Sequence, residues 1–185
     1  MISREEALEL VNSWTSNKNL VKHMLAVEAA MGGLAKHFNE DEKLWKLVGL
    51  IHDADYEKHP DIHPLFLVEE LEKRKENKEL INAIKSHAWG YRPDLPSPTK
   101  PLEWSLYTCD ELTGLIVAVT LVRPDKSLKN VTLDNILKKW NEKSFAKGVN
   151  REQIEMCKST LGINLNEFIR IVLESMQRIS VDLGL

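Results

Sequence analysis

Apolar residues recur at gaps of three and four along this chain, and no stretch alternates with the period of two that a half-buried strand requires. Leu20, Met24, Val27, Met31 and Leu34 mark one helical face; Leu44, Leu47, Val48 and Ile51 mark another. The β-branched run from Ile116 to Val122 continues a helix-like segment and reads as buried helix. The pattern predicts an all-α fold, a bundle of about seven to nine helices.

Caps and breakers place the boundaries. Ser3-Arg4-Glu5-Glu6 has the spacing of a capping box and predicts a helix to about Trp14. Asn39-Glu40-Asp41-Glu42 reads as an N-cap followed by acids in a first turn. Pro60 and Pro64 frame a loop, and two shorter helices follow, Phe66 to Lys75 and Leu80 to His87. Tyr91 to Pro101 holds four prolines in 11 residues and cannot be helix interior. Pro101 suits the first position of a long helix to Val122. Asn150-x-x-Gln153 and Asn164-x-x-Glu167 predict two more helix starts, the second opening a helix from Leu165 to about Leu183. Gly32-Gly33, inside the second helix, costs about 1 kcal/mol per residue relative to Ala and predicts close helix packing.

A chain of 185 residues fits a single domain and folds without disulfides. The longest apolar-rich run, Leu112 to Val122, has 11 residues, short of the roughly 20 that span a bilayer. The N-terminus is charged from Arg4 onward and has no hydrophobic signal core. Cys109 and Cys157 form no paired motif. Together these predict a reduced, cytoplasmic protein that does not enter membranes. A net charge of −3 argues against a chain built to coat nucleic acid. The seven basic and two acidic residues between Lys126 and Arg151 read as a solvated face.

Chemistry concentrates at His52-Asp53. At a helix end, an adjacent imidazole and carboxylate can turn toward one point; within a helix they would diverge by about 100°. Together they make a mixed nitrogen and oxygen site for a divalent cation. Two ligands are too few, and two other residues sit oddly. His23 lies by the apolar face of an earlier helix. Asp110 lies in a long helix whose only other acids are Glu103 and Glu111. A carboxylate in an apolar helix is costly unless something pairs with it. Cys109 points away from Asp110 on a helix, and His37 near a helix end and His59 beside Lys58 and Pro60 read as structural or solvent-facing.

The order His, His-Asp, Asp on successive helices resembles the HD superfamily of metal-dependent phosphohydrolases, in its small stand-alone form. The resemblance runs from about Leu20 to Val122. It rests on Lys22-His23-Met24, Gly49-Leu50-Ile51-His52-Asp53-Ala54-Asp55-Tyr56, Ser86-His87 and Asp110-Glu111-Leu112-Thr113-Gly114-Leu115. It implies that His23, His52, Asp53 and Asp110 hold one metal. It also leaves open a second metal held by His63 and His87 and bridged by Asp53. The ions consistent with such a site are Mn, Fe, Co, Ni, Zn or Mg. Ala54-Asp55-Tyr56 stands where better-characterised relatives carry a small residue, Gly and Lys. Gly90-Tyr91-Arg92-Pro93 is only a superficial echo of another motif of that branch. Cyclic dinucleotide chemistry is therefore not expected.

The implied reaction is attack of metal-activated water on a small phosphate ester such as a nucleotide. Asp55 or Glu57 could orient that water or shuttle protons. Lys22, Lys85 and Arg92 could neutralise phosphate, and Trp89 and Tyr91 could stack on a nucleobase. Residues 125–185 lie outside the resemblance and are expected to complete the core or shape a contact with a second copy. A nucleotide- or metal-binding sensor and a di-iron oxygenase-like enzyme are the alternatives.

Overall fold

A computed structural model describes residues 2–185. Met1, the first residue of the charged N-terminus, lies outside the described residues. Helices carry the fold: α1 (Arg4–Trp14), α2 (Lys18–Phe38), α3 (Glu42–Ile51), α4 (Leu65–Lys73), α5 (Lys78–His87), α6 (Pro101–Leu121), α7 (Leu133–Trp140), α8 (Arg151–Glu155), α9 (Cys157–Leu161), α10 (Leu165–Arg178) and α11 (Ser180–Leu183). Three of these, α8, α9 and α11, have five residues or fewer. The eleven helices among the described residues exceed the seven to nine that the periodicity predicts, because these short turns of helix carry too few residues to show a period. No strand occurs among the described residues; the pair Trp89 and Arg92 makes an isolated bridge.

The two longest helices, α2 and α6, have 21 residues each, about 31 Å of rise. α2 packs against α3, α6 and α10. Met24, Met31 and Leu34 of α2, Leu50 and Ile51 of α3, Leu106 and Leu112 of α6 and Phe168 of α10 are fully buried in one core. Close approach depends on glycine. A Cβ on Gly33 would lie 2.0 Å from Ser175 Oγ of α10, and one on Gly49 would lie 2.7 Å from the Val27 carbonyl oxygen of α2. Charge joins α1 to α2. Arg4 donates from Nε and Nη2 to the two oxygens of the buried Glu28, at 2.5 and 2.9 Å. No helix among the described residues is long and apolar enough to cross a membrane.

Two boundaries differ from the sequence reading. Asp41, not Asn39, caps α3, its carboxylate accepting from the Lys43 and Leu44 amides. Asn39 instead ends α2 in the left-handed conformation, at φ 56°, which Asn tolerates better than most residues. The last helix does not run unbroken to Leu183. At Ile179 the amide turns to the Met176 and Gln177 carbonyls, a tighter closure that ends α10 before α11 begins.

Candidate metal centre

Four elements meet at one end of α3. His52 is the C-cap of α3, and the turns that follow point Asp53 the same way. α2 supplies His23 and α6 supplies Asp110. His87 is the last residue of α5, and His63 stands in the turn before α4. All six side chains converge. Asp110 Oδ1 lies 2.9 Å from His23 Nε2 and 3.5 Å from His52 Nε2. Asp53 stands between two groups. Its Oδ2 lies 3.8 and 3.6 Å from the Nε2 atoms of His23 and His52; its Oδ1 lies 3.3 and 3.4 Å from those of His63 and His87. Two sets of ligand atoms are each compact enough for one ion: His23, His52 and Asp53, and Asp53, His63 and His87.

The imidazoles are held from behind. His52 Nδ1 donates to the Gly49 carbonyl at 2.8 Å, and His87 Nδ1 to the Ile84 carbonyl at 2.5 Å. His63 Nδ1 donates to Asp55 Oδ1 at 2.7 Å. His23 Nδ1 lies 3.5 Å from the Thr113 hydroxyl, whose own proton goes to the Asp110 carbonyl. With the proton on Nδ1, each ring offers its Nε2 lone pair to the centre. There the Nε2 atoms crowd against one another and against two carboxylates. His52 Nε2 is buried with no hydrogen bond. His63 and His87 face one another Nε2 to Nε2 at 3.2 Å, an arrangement that needs a proton or a cation between them. A first-row divalent ion suits this set of imidazoles and carboxylates.

Charge gives the same picture. Burial pushes the His52 pKa down, but Asp53 and Asp110 outweigh it and bring it up to about 9. His63 likewise overcomes its burial through Asp53 and Asp55 and rises to about 9. Burial works against ionised Asp53, yet the charge of His52 and the hydrogen bonds of His63 and His87 hold its carboxyl well below the usual range. Without an ion, protons occupy this centre, and an ion must displace them. The raised histidine pKa values therefore stabilise the metal-free fold fully below about pH 6.5, and that contribution is lost as pH rises through about 9. Affinity for Mn(II), measured by titration calorimetry, is expected to tighten steadily from pH 6 to pH 9. A flat profile would contradict proton displacement.

The acids after His52-Asp53 correct the sequence expectation. Asp55 is fully buried and does not face the centre's opening; behind His63 it accepts from that ring and, at 3.0 Å, from the Leu67 amide of α4. Glu57 is exposed and turned away, accepting from the Ser16 hydroxyl and, at 2.9 Å, from the Asn17 amide at the start of α2. Neither side chain lines the opening of the centre. Asp55→Asn is expected to weaken metal binding by about 10–100-fold while preserving the fold, because it disturbs the His63 tautomer and nothing at the centre directly. Equilibrium dialysis against Mn(II) measures it.

A cleft of about 400 Å³ opens onto Asp53, His63, His87 and Asp110. Tyr56, Ala88, Trp89, Tyr91, Glu111, Gly148 and Gln153 complete its lining. Trp89 packs edge-on to Trp104 and tilted against Tyr107, which fixes its ring, and Tyr91 is 68 % exposed. The three cations expected near phosphate lie elsewhere. Lys22 lines a separate cleft with His23, Gly114 and Leu121. Lys85 is not part of the lining. Arg92 is spent on a two-pronged bond to Asp94 and on the Asp61 carbonyl. Glu111, Gln153 and Tyr56 were not singled out from the sequence. Glu111 stood there only as a neighbour of Asp110, and Gln153 only as part of a helix start. Burial raises the Glu111 carboxyl, against the Asn150 amide, which lowers it. A cleft of about 530 Å³ lies against Arg4, Glu28 and Lys46 and touches none of the six converging residues.

Comparison with known proteins bears on the same stretch. The family model described as HD domain matches residues 20–115, inside the range that carries the resemblance. Ribonuclease Y of Alkaliphilus metalliredigens (strain QYMF) is 28 % identical over 182 residues, covering 90 % of this chain and 35 % of that protein. The chain therefore spans about a third of the length of that curated relative.

Proposed function

Because the chain belongs to the HD domain family, we propose that it is a metal-dependent phosphohydrolase acting on a phosphate monoester such as a nucleoside monophosphate. The observation that carries this reading is Asp53, whose two oxygens face two separate groups of imidazole nitrogens. His23, His52, Asp53 and Asp110 would hold one ion, and Asp53, His63 and His87 a second. Ions in such a site acidify water and draw charge from a phosphoryl oxygen. The protein's own groups position the rest. Trp89 and Tyr91 offer ring faces to an organic leaving group. Asp55 locks the His63 ring, and the Gly49 and Ile84 carbonyls lock His52 and His87.

The lining also limits the substrate's charge. It carries three carboxylates, Asp53, Asp110 and Glu111, and no Lys or Arg among the described residues. A diphosphate or triphosphate tail would find no cationic clamp beyond the metal, so a single phosphoryl group fits better. The test is phosphate release by chelated protein reloaded with each candidate ion. Mononucleotides are expected to turn over only with metal, and at least tenfold faster than triphosphates. No release with any ion would overturn the reading. Nucleotide binding without turnover would then favour a sensor, and iron-dependent oxygen uptake an oxygenase.

Ribonuclease Y supports a second reading by its name, an RNA strand as substrate. A strand-binding groove is ordinarily positively charged, and this lining is not. Cleavage of single-stranded RNA without mononucleotide turnover would favour it.

A further inference from the structure

Two acceptor groups stand unspent in the cleft. Glu111 Oε2 accepts from the Asn150 amide at 3.0 Å, and no partner meets its other oxygen. Gln153 Nε2 donates to the Tyr107 carbonyl at 2.6 Å, which leaves its amide oxygen without a donor. Both side chains are fixed by backbone groups, so little ordering remains to be done when a ligand arrives. Among the described residues, no Lys or Arg lines the cleft to pair with Glu111. A ligand that covers these oxygens and brings no donor leaves them desolvated and unbonded, which is strongly unfavourable.

We propose that Glu111 and Gln153 select a leaving group whose ring carries an exocyclic amine, so that amino-bearing nucleobases are preferred over counterparts without the amine. This rests on the phosphohydrolase reading of the same cleft. The aromatic side chains Trp89 and Tyr91 accept any base by its face. Discrimination falls to the two oxygens, which match N–H donors and repel carbonyl oxygens. Guanine offers adjacent donors at its ring nitrogen and its amine, one for each oxygen; hypoxanthine lacks the amine. Cytosine offers an amine where uracil offers a carbonyl.

The test uses the metal-loaded protein and two pairs of nucleoside 5′-monophosphates, GMP with IMP and CMP with UMP. The wild type is expected to show kcat/KM at least about tenfold higher for the amino member of each pair. E111Q keeps an oxygen for the Asn150 amide but turns a donor toward the ligand. It is expected to erase or reverse both ratios, with an unchanged circular dichroism spectrum. A side chain that only tethers Asn150 would lower both members equally, and equal kcat/KM in the wild type or equal loss in E111Q overturns the proposal. Phosphate release without discrimination leaves the phosphohydrolase reading standing. If no monophosphate turns over, that reading fails; calorimetry with cytidine and uridine then tests the selection alone, and equal affinity would overturn it.

Discussion

Asp53→Asn is expected to abolish metal retention and phosphate release together. Asp53 alone reaches both groups of imidazoles, with Oδ2 toward His23 and His52 and Oδ1 toward His63 and His87. Asparagine keeps the volume and one carbonyl oxygen, so packing survives. What it loses is the negative charge between the two groups of imidazoles and one of the two oxygens that could ligate an ion. Metal content by elemental analysis should fall to near zero, and kcat/KM for a mononucleotide by on the order of 10³-fold or more. His87→Ala separates the two groups. It touches only the Oδ1 side and is expected to leave part of the metal bound. If Asp53→Asn retained a full complement of metal and normal turnover, the centre would not be where these residues meet.

Gly49→Ala is expected to be the most damaging single methyl addition in the fold. The new Cβ would lie 2.7 Å from the Val27 oxygen, 2.8 Å from its carbonyl carbon and 2.9 Å from Glu28 Cα. These are backbone atoms of α2, and no rotamer change relieves them, so α3 must move away. Overpacking of this kind costs about 3 kcal/mol, which in a chain of this size lowers Tm by roughly 6–12 °C. The displacement also reaches the centre, because the Gly49 carbonyl fixes the His52 ring. Gly114→Ala is the matched control. It lies within α6 with nothing within 4 Å of the added carbon, and it should stabilise by up to about 1 kcal/mol. Thermal unfolding followed by circular dichroism decides both. Equal Tm for Gly49→Ala and wild type would mean that α2 and α3 do not pack this closely.

The helical spacing of apolar residues carries the fold class because burial acts on one face at a time. Pro101 and the Asn150 and Asn164 caps are legible for a similar reason: each satisfies, or does without, an amide that the helix leaves unpaired. His23 and Asp110 stand out because a polar group among apolar neighbours needs a partner. The acids of the turn after α3 carry no such signal. In a turn, successive side chains point in directions that the order of residues does not encode, so Asp55 goes into the core and Glu57 goes to the start of α2. Gln153 is hidden for a different reason. Its pairing with the Tyr107 carbonyl spans α6 and α8, and only the folded chain brings those helices together.

The residues that converge on Asp53 all fall within positions 20–115, whereas Gly148 and Gln153 of the cleft wall come from beyond them. Two bonds, from the Asn150 amide to Glu111 and from Gln153 Nε2 to the Tyr107 carbonyl, tie the two stretches together at the wall. Such an arrangement separates what is hard to vary from what is easy. Substitutions around 145–155 can reshape what the cleft accepts while every group at the centre keeps its partners. A lineage, or an engineer, could therefore trade one substrate for another in small steps, with the reactive machinery held constant throughout.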